Sequence, residues 1–349
     1  MHSLKSNFLK ALSRVPITQA PLYCTGYPEL EFIDNYTKYY DIKSINKNFI
    51  LNEKNYSIIE RMGFDAISLW DFRRGEGGYA LDNQRRVDGW GRIYKEEWYM
   101  WDGVFKDKFI VKNWEFLKLP SKKKIRSLKD FLGKASDKLE YVISLPGLFE
   151  KTWQSMGLVQ FAKSLKKYLD LVESVVSFFS DYLKSLIKIL QNTGAKIFII
   201  ADDYGYKKRT FIPKESWHLL FSDRYKEIIN IIHERKQKVI IHSDGYISDM
   251  IETFIDLGFD AVQSLEPNAG VDIFSLFKIY NNQICFIGNL DISFLSFGTP
   301  QQVKDYVIKL IKKAQKYNCS LVISPTQQIN SKCKLENINT MIQTTKRFK

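Results

Sequence analysis

The seven residues Val239–Gly245, VIIHSDG, end a β-branched apolar run in a histidine and an aspartate two positions apart, just before a glycine. An imidazole beside a carboxylate can move protons near neutral pH, with the acid orienting the ring. Joined by Asp203 or Glu266, His242 and Asp244 could instead hold a divalent metal through nitrogen and oxygen ligands. Other apolar runs end in the same manner. Asp71 follows AISLW, Asp202 and Asp203 follow KIFIIA, Glu266 follows AVQSL, Asn289 and Asp291 follow ICFIG and its neighbours, and Gln327 follows LVISPT.

Whether these groups meet depends on the elements that carry them. Strands are expected at Ile17–Tyr23, Ala66–Leu69, Tyr141–Ser144, Lys196–Ala201, Lys238–Ile241, Ala261–Ser264, Ile284–Ile287 and Leu321–Ser324. Helical periodicity marks Glu53–Met62, Leu148–Thr193 (two helices), Lys214–Lys236, Tyr246–Leu257, Ile273–Tyr280, Pro300–Tyr317 and Leu335–Lys346. Thr299 before Pro300 makes an N-cap and first-turn pair, and Gly63 and Gly258 stop helices ahead of strands. Eight strands alternating with helices predict parallel pairing through right-handed crossovers, closing into a (β/α)8 TIM barrel that forms one domain over residues 1–349. An open doubly wound sheet shares the same element order. In a barrel the strand ends share one mouth, where burial and mutual charge tune protonation. Capping and loop bonding explain an Asp or Asn at such a position equally well, but they do not explain His242. His2, His218 and His233 fall on the terminus or on helices and suggest no chemistry.

Gly75–Leu119 breaks the alternation. It is rich in Trp, Tyr and Gly, and the alternation over Arg92–Tyr99 predicts a β-hairpin excursion between the second and third strands, either a partial lid or a packed flap. Trp70, Trp90, Trp98, Trp101 and Trp153 are expected to pack core and excursion rather than build a cofactor box. The lysine run PSKKKIR, Pro120–Arg126, is expected to be a solvated loop.

Composition sets the class. The 349 residues are 45% hydrophobic and 26% charged, an ordinary globular mixture. No run approaches the roughly 20 apolar residues that cross a bilayer. MHSLKSNFLKALSRV reads as a short amphipathic helix with Leu4, Phe8, Leu9 and Leu12 inward rather than as a secretory leader, so a cytoplasmic location is the default expectation. The net charge of +13 comes from lysines scattered along the chain, not from a stripe, and implies neither a nucleic-acid nor a membrane partner. Cys24, Cys285, Cys319 and Cys333 form no CxxC pair, which argues against a disulfide framework or a zinc knuckle. GEGGY at Gly75–Tyr79 lacks the strand and helix context of a dinucleotide loop, and no serine elbow or Cys–His pair is present.

In order and spacing, IIADDYGYKKRTFIPKESW, VIIHSDGYISDMIETFIDLGFDAVQSLEPNAGVDI, FIGNLDISFLSFGTP and LENI resemble the uroporphyrinogen decarboxylase superfamily. MGFDAISLWDF, VDGWGRIYK and FEKTWQSMG extend the likeness over nearly the whole chain. The resemblance implies a barrel, and one of two activities found in the superfamily: tetrapyrrole decarboxylation or cobalamin-dependent methyl transfer. Against the decarboxylases, CTGYPELEFIDNYTKYY lacks their substrate-binding arginine, Gln327 stands for their histidine and Asp203 for their serine, while Asp71 matches the aspartate that contacts pyrrole nitrogens. Zinc-dependent methyltransferases carry HxC after the fifth strand and a second cysteine after the eighth. His242 matches, but Asp244 and Gln327 replace the cysteines, so a thiolate zinc site is excluded. A harder, oxygen-rich Zn²⁺ site would then rest on His242, Asp244 and Glu266.

HSDG, DDYG and SLEP look like the methyltransferase-like branch. The resemblance therefore implies a corrinoid-dependent methyltransferase that works with a separate corrinoid protein, its cobalamin cofactor, and a small methyl donor or acceptor. His242, Asp203 and Asp71 would be catalytic, and Asp202, Asp291 and Gln327 would bind substrate. A cofactor-free uroporphyrinogen decarboxylase, using Asp71 to stabilise a charged pyrrole, is the alternative. A barrel that binds a tetrapyrrole or a corrinoid protein without catalysis is the third reading.

Overall fold

Apolar β-branched runs pair side by side because each buries one face inward and one outward. The computed structural model describes residues 6–42, 51, 53–69, 77–135 and 137–348. Its main sheet contains β1 (Tyr23–Cys24), β2 (Ala66–Leu69), β3 (Glu140–Pro146), β4 (Ile197–Ala201), β5 (Lys238–Ser243), β6 (Ala261–Ser264), β7 (Cys285–Leu290) and β8 (Leu321–Pro325) in chain order. Every pairing is parallel. A parallel bridge between Leu22 and Ile323, with Ile323 N–H donating to Pro21 O at 2.9 Å, joins β8 back to β1. The sheet is a TIM barrel, and the doubly wound alternative is gone. β1 is shorter than the expected Ile17–Tyr23, since Pro21 has no N–H to donate to a ladder.

Side chains alternate around the barrel. Ile67, Ile143, Phe198, Ile200, Ile241, Val262, Phe286 and Ile323 point outward into the layer shared with the helices. Ala66, Val142, Ile197, Ile199, Ile240, Ala261, Ile287 and Val322 fill the interior. One inward step further toward the strand C-termini the interior turns polar, with Ser68, Ser144, His242, Gln263 and Ser324. Tyr23 and Ser68 share a hydrogen bond there, as do Thr25 and Ser324 at 3.1 Å.

The helix Asn7–Leu12 closes the opposite end. Ser6 caps it by accepting from Leu9 N–H, and Phe8, Ala11 and Leu12 are buried. Phe8 stacks on Tyr23 with centroids 5.6 Å apart, and Ser320 Oγ donates to Ala11 O at 2.7 Å. Leu9 packs against the same cluster, whereas Leu4 lies outside the described residues.

The excursion is an antiparallel sheet of four strands, Gly78–Ala80, Arg85–Asp88, Arg92–Lys95 and Trp98–Gly103. It is bolted to the helix Leu148–Met156: Tyr99 Oη donates to Gln154 O at 2.9 Å, Phe105 N–H to Ser155 O at 2.9 Å, and Arg92 reaches Gln154 Oε1 at 3.1 Å. These contacts describe a packed flap. Trp90 is buried, Trp98 is exposed, and Trp101 stacks on Trp153, which stacks on Phe211 in the loop after β4. Trp70 lies outside the described residues.

Two expectations need correction. PSKKKIR is not a loop but opens the helix Lys122–Lys134, capped by Ser121, which accepts from Lys124 N–H at 3.2 Å. Lysine is a good helix former, and Leu128 and Phe131 give the helix a buried stripe. The region 148–193 holds three α-helices rather than two, Leu148–Met156, Leu158–Lys167 and Leu169–Leu190, because Gly157 turns at φ +80° and Tyr168 is non-helical. All four cysteines are free thiols, three of them buried. Among the described residues no helix is long and apolar enough to cross a membrane.

Candidate active site

The loops after β4 and β5 touch where each carries a glycine. A Cβ on Gly205 would sit 2.3 Å from Asp244 O, and one on Gly245, at φ +80°, would sit 2.5 Å from Gly205 C. Only paired glycines permit that approach, which is why DDYG and HSDG both end as they do. Ser243, buried on the outward side of β5, fixes the junction. Its Oγ accepts from Tyr204 N–H at 2.8 Å and donates to Asp244 O at 3.0 Å. Asp244 N–H then donates to Asp203 Oδ1 at 3.0 Å.

This arrangement gathers three expected residues. His242 Nε2 lies 3.8 Å from Asp203 Oδ1 and 3.7 Å from Asp244 Oδ1, and one ligand atom from each residue falls within 4.8 Å of the others. The imidazole is largely enclosed while the two carboxylates are more than a third exposed, so the cluster opens to solvent on its acidic side. His242 Nδ1 is hydrogen-bonded to Gln263 Oε1.

Glu266 stands beside this cluster, not in it. Its Oε2 accepts from Gly245 N–H at 2.9 Å and its Oε1 from Gln327 Nε2 at 3.1 Å. Burial, then the Asp244 carboxylate, holds its pKa above the usual range, with Asp291 adding to the rise and the two hydrogen bonds opposing it. Of the expected metal set, His242 and Asp244 share the three-residue cluster with Asp203, the alternative third ligand, while the Glu266 oxygens are bonded to the backbone of Gly245 and the amide of Gln327.

Asp202, expected at substrate, is placed elsewhere. It is fully buried and accepts from Phe149 N–H at 2.9 Å, Glu150 N–H at 2.6 Å, Tyr204 Oη at 2.7 Å and Tyr225 Oη. It caps the helix after β3 from a neighbouring loop. Burial pushes its pKa up to about 6 although all four bonds favour the charged form. Asp291 accepts from Ser293 N–H at 2.7 Å as an N-cap, and also lines a side cavity of about 510 Å³ with Pro267, Asn268, Phe294 and Tyr306. Asn289 is buried and clasps Leu265 O and Tyr306 Oη. Asp71 lies outside the described residues.

The uroporphyrinogen decarboxylase (URO-D) family model matches residues 152–348, more than half of the chain and all of the His242–Asp203–Asp244 cluster. The chain belongs to the uroporphyrinogen decarboxylase family. No curated protein matches it. Among solved structures it is similar to a methyltransferase from Methanosarcina mazei, with TM-score 0.72 and 16% identity over 99% of this chain and 98% of that one. It is also similar to a B12-independent methionine synthase from Shewanella sp. W3-18-1, with TM-score 0.51 and 13% identity over 94% of this chain and 96% of that one. At those identities the likeness is one of fold.

Within this URO-D family member, sequence reasoning missed Gln263 and Ser243. The signal for Gln263 was strand parity: Ala261 faces the interior, so the residue two positions on faces it too. The same parity separates Asp202 from Asp203, since Ile197 and Ile199 point inward and the odd-numbered aspartate continues their side.

Proposed function

We propose that this URO-D family member is a methyltransferase that moves a methyl group between a corrinoid carried by a separate protein and a small-molecule partner. The observation that carries the reading is the His242–Asp203–Asp244 cluster at the barrel mouth, with Nε2 and two carboxylate oxygens aimed at one small volume. The similarity in fold to the Methanosarcina mazei methyltransferase supports it.

The donor set decides what the site can hold. Asp244 stands where a thiolate would be needed, and Gln327 is bonded to Glu266, so a soft thiolate zinc centre does not fit. One imidazole and two carboxylates fit a harder divalent cation. When bound, it would supply Lewis-acid activation of the acceptor atom. The chain's own groups do the rest. With the cation bound, the His242 Nε2 lone pair would hold it; without it, that lone pair is free for the acceptor's proton. In either case Asp203 and Asp244 stabilise positive charge arriving beside them, Asp203, held by Asp244 N–H, orienting the reactant. Glu266 and Gln327 border the site and shape entry to it.

Methylcobalamin serves as the probe of transfer, with thiols and amines as acceptors and the loss of the alkyl-cobalt absorbance as readout. Turnover by the wild-type protein that falls in His242→Ala supports the proposal, and its absence with every acceptor overturns it. In parallel, conversion of uroporphyrinogen to coproporphyrinogen would move the assignment to decarboxylation, and absorbance-detected binding without either reaction to a non-catalytic barrel. Elemental analysis completes the set: about one divalent cation per chain, lost in a triple Asp203→Asn, Asp244→Asn, His242→Ala protein, is the expected result.

A further inference from the structure

We infer that Gln263 sets the tautomer of His242, committing the Nε2 lone pair to the space between Asp203 and Asp244. The two residues are register partners across β5 and β6, and the Gln263 side chain is fully buried inside the barrel. Its Nε2 donates to Thr326 O at 3.3 Å and to Thr25 Oγ1 at 3.3 Å. A backbone carbonyl offers only lone pairs, so the amide nitrogen must face Thr326; the flipped amide would oppose two carbonyl oxygens. Thr25 Oγ1 spends its own proton toward Pro325 O at 3.1 Å and keeps lone pairs for the amide. The orientation of Gln263 is therefore determined from behind, by groups that never reach the mouth.

Bonding capacity then decides the state of the ring. With the amide nitrogen committed, Oε1 is the atom left to meet His242 Nδ1, and an oxygen acceptor requires Nδ1 to carry the proton. The neutral ring then has its lone pair on Nε2, which faces Asp203 Oδ1 at 3.8 Å and Asp244 Oδ1 at 3.7 Å. Both separations exceed hydrogen-bond length, so the three atoms frame a space instead of closing on one another. Gln263 touches no reactant. It is a positioning residue: through it the ring offers a lone pair to whatever enters, rather than an N–H that would bind the carboxylates and shut the site.

The test reads the ring directly, without reference to which group the enzyme transfers. Long-range ¹H–¹⁵N correlation spectra of protein labelled with ¹⁵N-histidine are recorded, with His242→Gln to assign the signal. Wild type is expected to show His242 with a protonated Nδ1 and an unprotonated Nε2. Gln263→Met, similar in length and without an amide acceptor, is expected to shift the ring to a majority protonated at Nε2. A wild-type ring protonated chiefly at Nε2 overturns the inference, and so does an unchanged ring in Gln263→Met. The wild-type spectrum decides even where a variant does not fold.

Discussion

Two histidines of this chain meet aspartates at opposite ends of the barrel, and they meet them differently. At the floor, His233 Nε2 lies 2.9 Å from Asp260 Oδ2, Lys238 Nζ lies 2.8 Å from Oδ1, and Val239 N–H donates to Oδ2 at 2.9 Å. Every oxygen of Asp260 is taken, and the contacts pin the end of the helix Lys214–Glu234 to the starts of β5 and β6. At the mouth, His242 stands beyond bonding distance of both its aspartates, with Gln263 bonded to its Nδ1 and Asp203 held by the backbone N–H of Asp244. The residue types are the same. A polar contact that closes on itself serves the fold, and one that is held open leaves room for the ligand proposed above.

The comparison breaks most visibly if the two histidines behave alike. His242→Ala is expected to lower methyl transfer by about 100-fold or more, the usual share of a positioned acid–base group, with thermal unfolding unchanged. His233→Ala is expected to leave turnover within about twofold and to reduce stability by roughly 1 kcal/mol, measured by urea unfolding. Equal losses of turnover in the two variants would remove the distinction.

Adjacent aspartates sharpen it next. Asp202→Ala strands two helix N–H groups and two tyrosine hydroxyls in the core and is expected to cost about 3 kcal/mol in urea unfolding. Asp203→Asn is expected to cost less than about 0.5 kcal/mol while lowering turnover, since its carboxylate is exposed at the mouth.

A third expectation concerns acid. Hydrogen bonds from His233 and Lys238, with the lysine charge, hold the Asp260 pKa below the usual value against the opposing effect of burial. A carboxylate depressed in the folded state contributes stability that is complete above its unfolded value, near 3.9, and lost as pH falls through the lower folded value. Asp260→Asn is therefore expected to flatten the fall in stability below about pH 4, as read from unfolding curves across that range. Ser243→Ala is expected to cost about 1 kcal/mol in urea unfolding, accompanied by a modest fall in turnover as the Asp203 and Asp244 loops lose their shared anchor.

Much of this was legible in the chain because barrel strands announce themselves as short β-branched runs between helices. Seven of the eight lie where the runs predicted, β1 meeting its expected run at Tyr23 alone, and the ends of β4 and β5 carry the residues that gather at the mouth. What escaped was direction. Asp202 and Asp203 are chemically identical in sequence, and only the inward or outward side of β4 makes one a helix cap and the other a site residue. Glu266 follows its strand as the others do, yet Gly245 N–H draws its carboxylate away from the imidazole, a contact between loops that no local pattern encodes. The lysines of Pro120–Arg126 misled for a related reason: charge reports exposure of one face, whereas Leu128 and Phe131, further on, determine that the segment is helical.

The helix Asn7–Leu12 has a consequence for traffic. Among the described residues, Phe8, Ala11 and Leu12 are seated beneath the strands and plug that end of the barrel, under an interior already filled by apolar side chains. A reactant of the proposed transfer would therefore be met on the opposite face, where the Asp203 and Asp244 carboxylates are exposed.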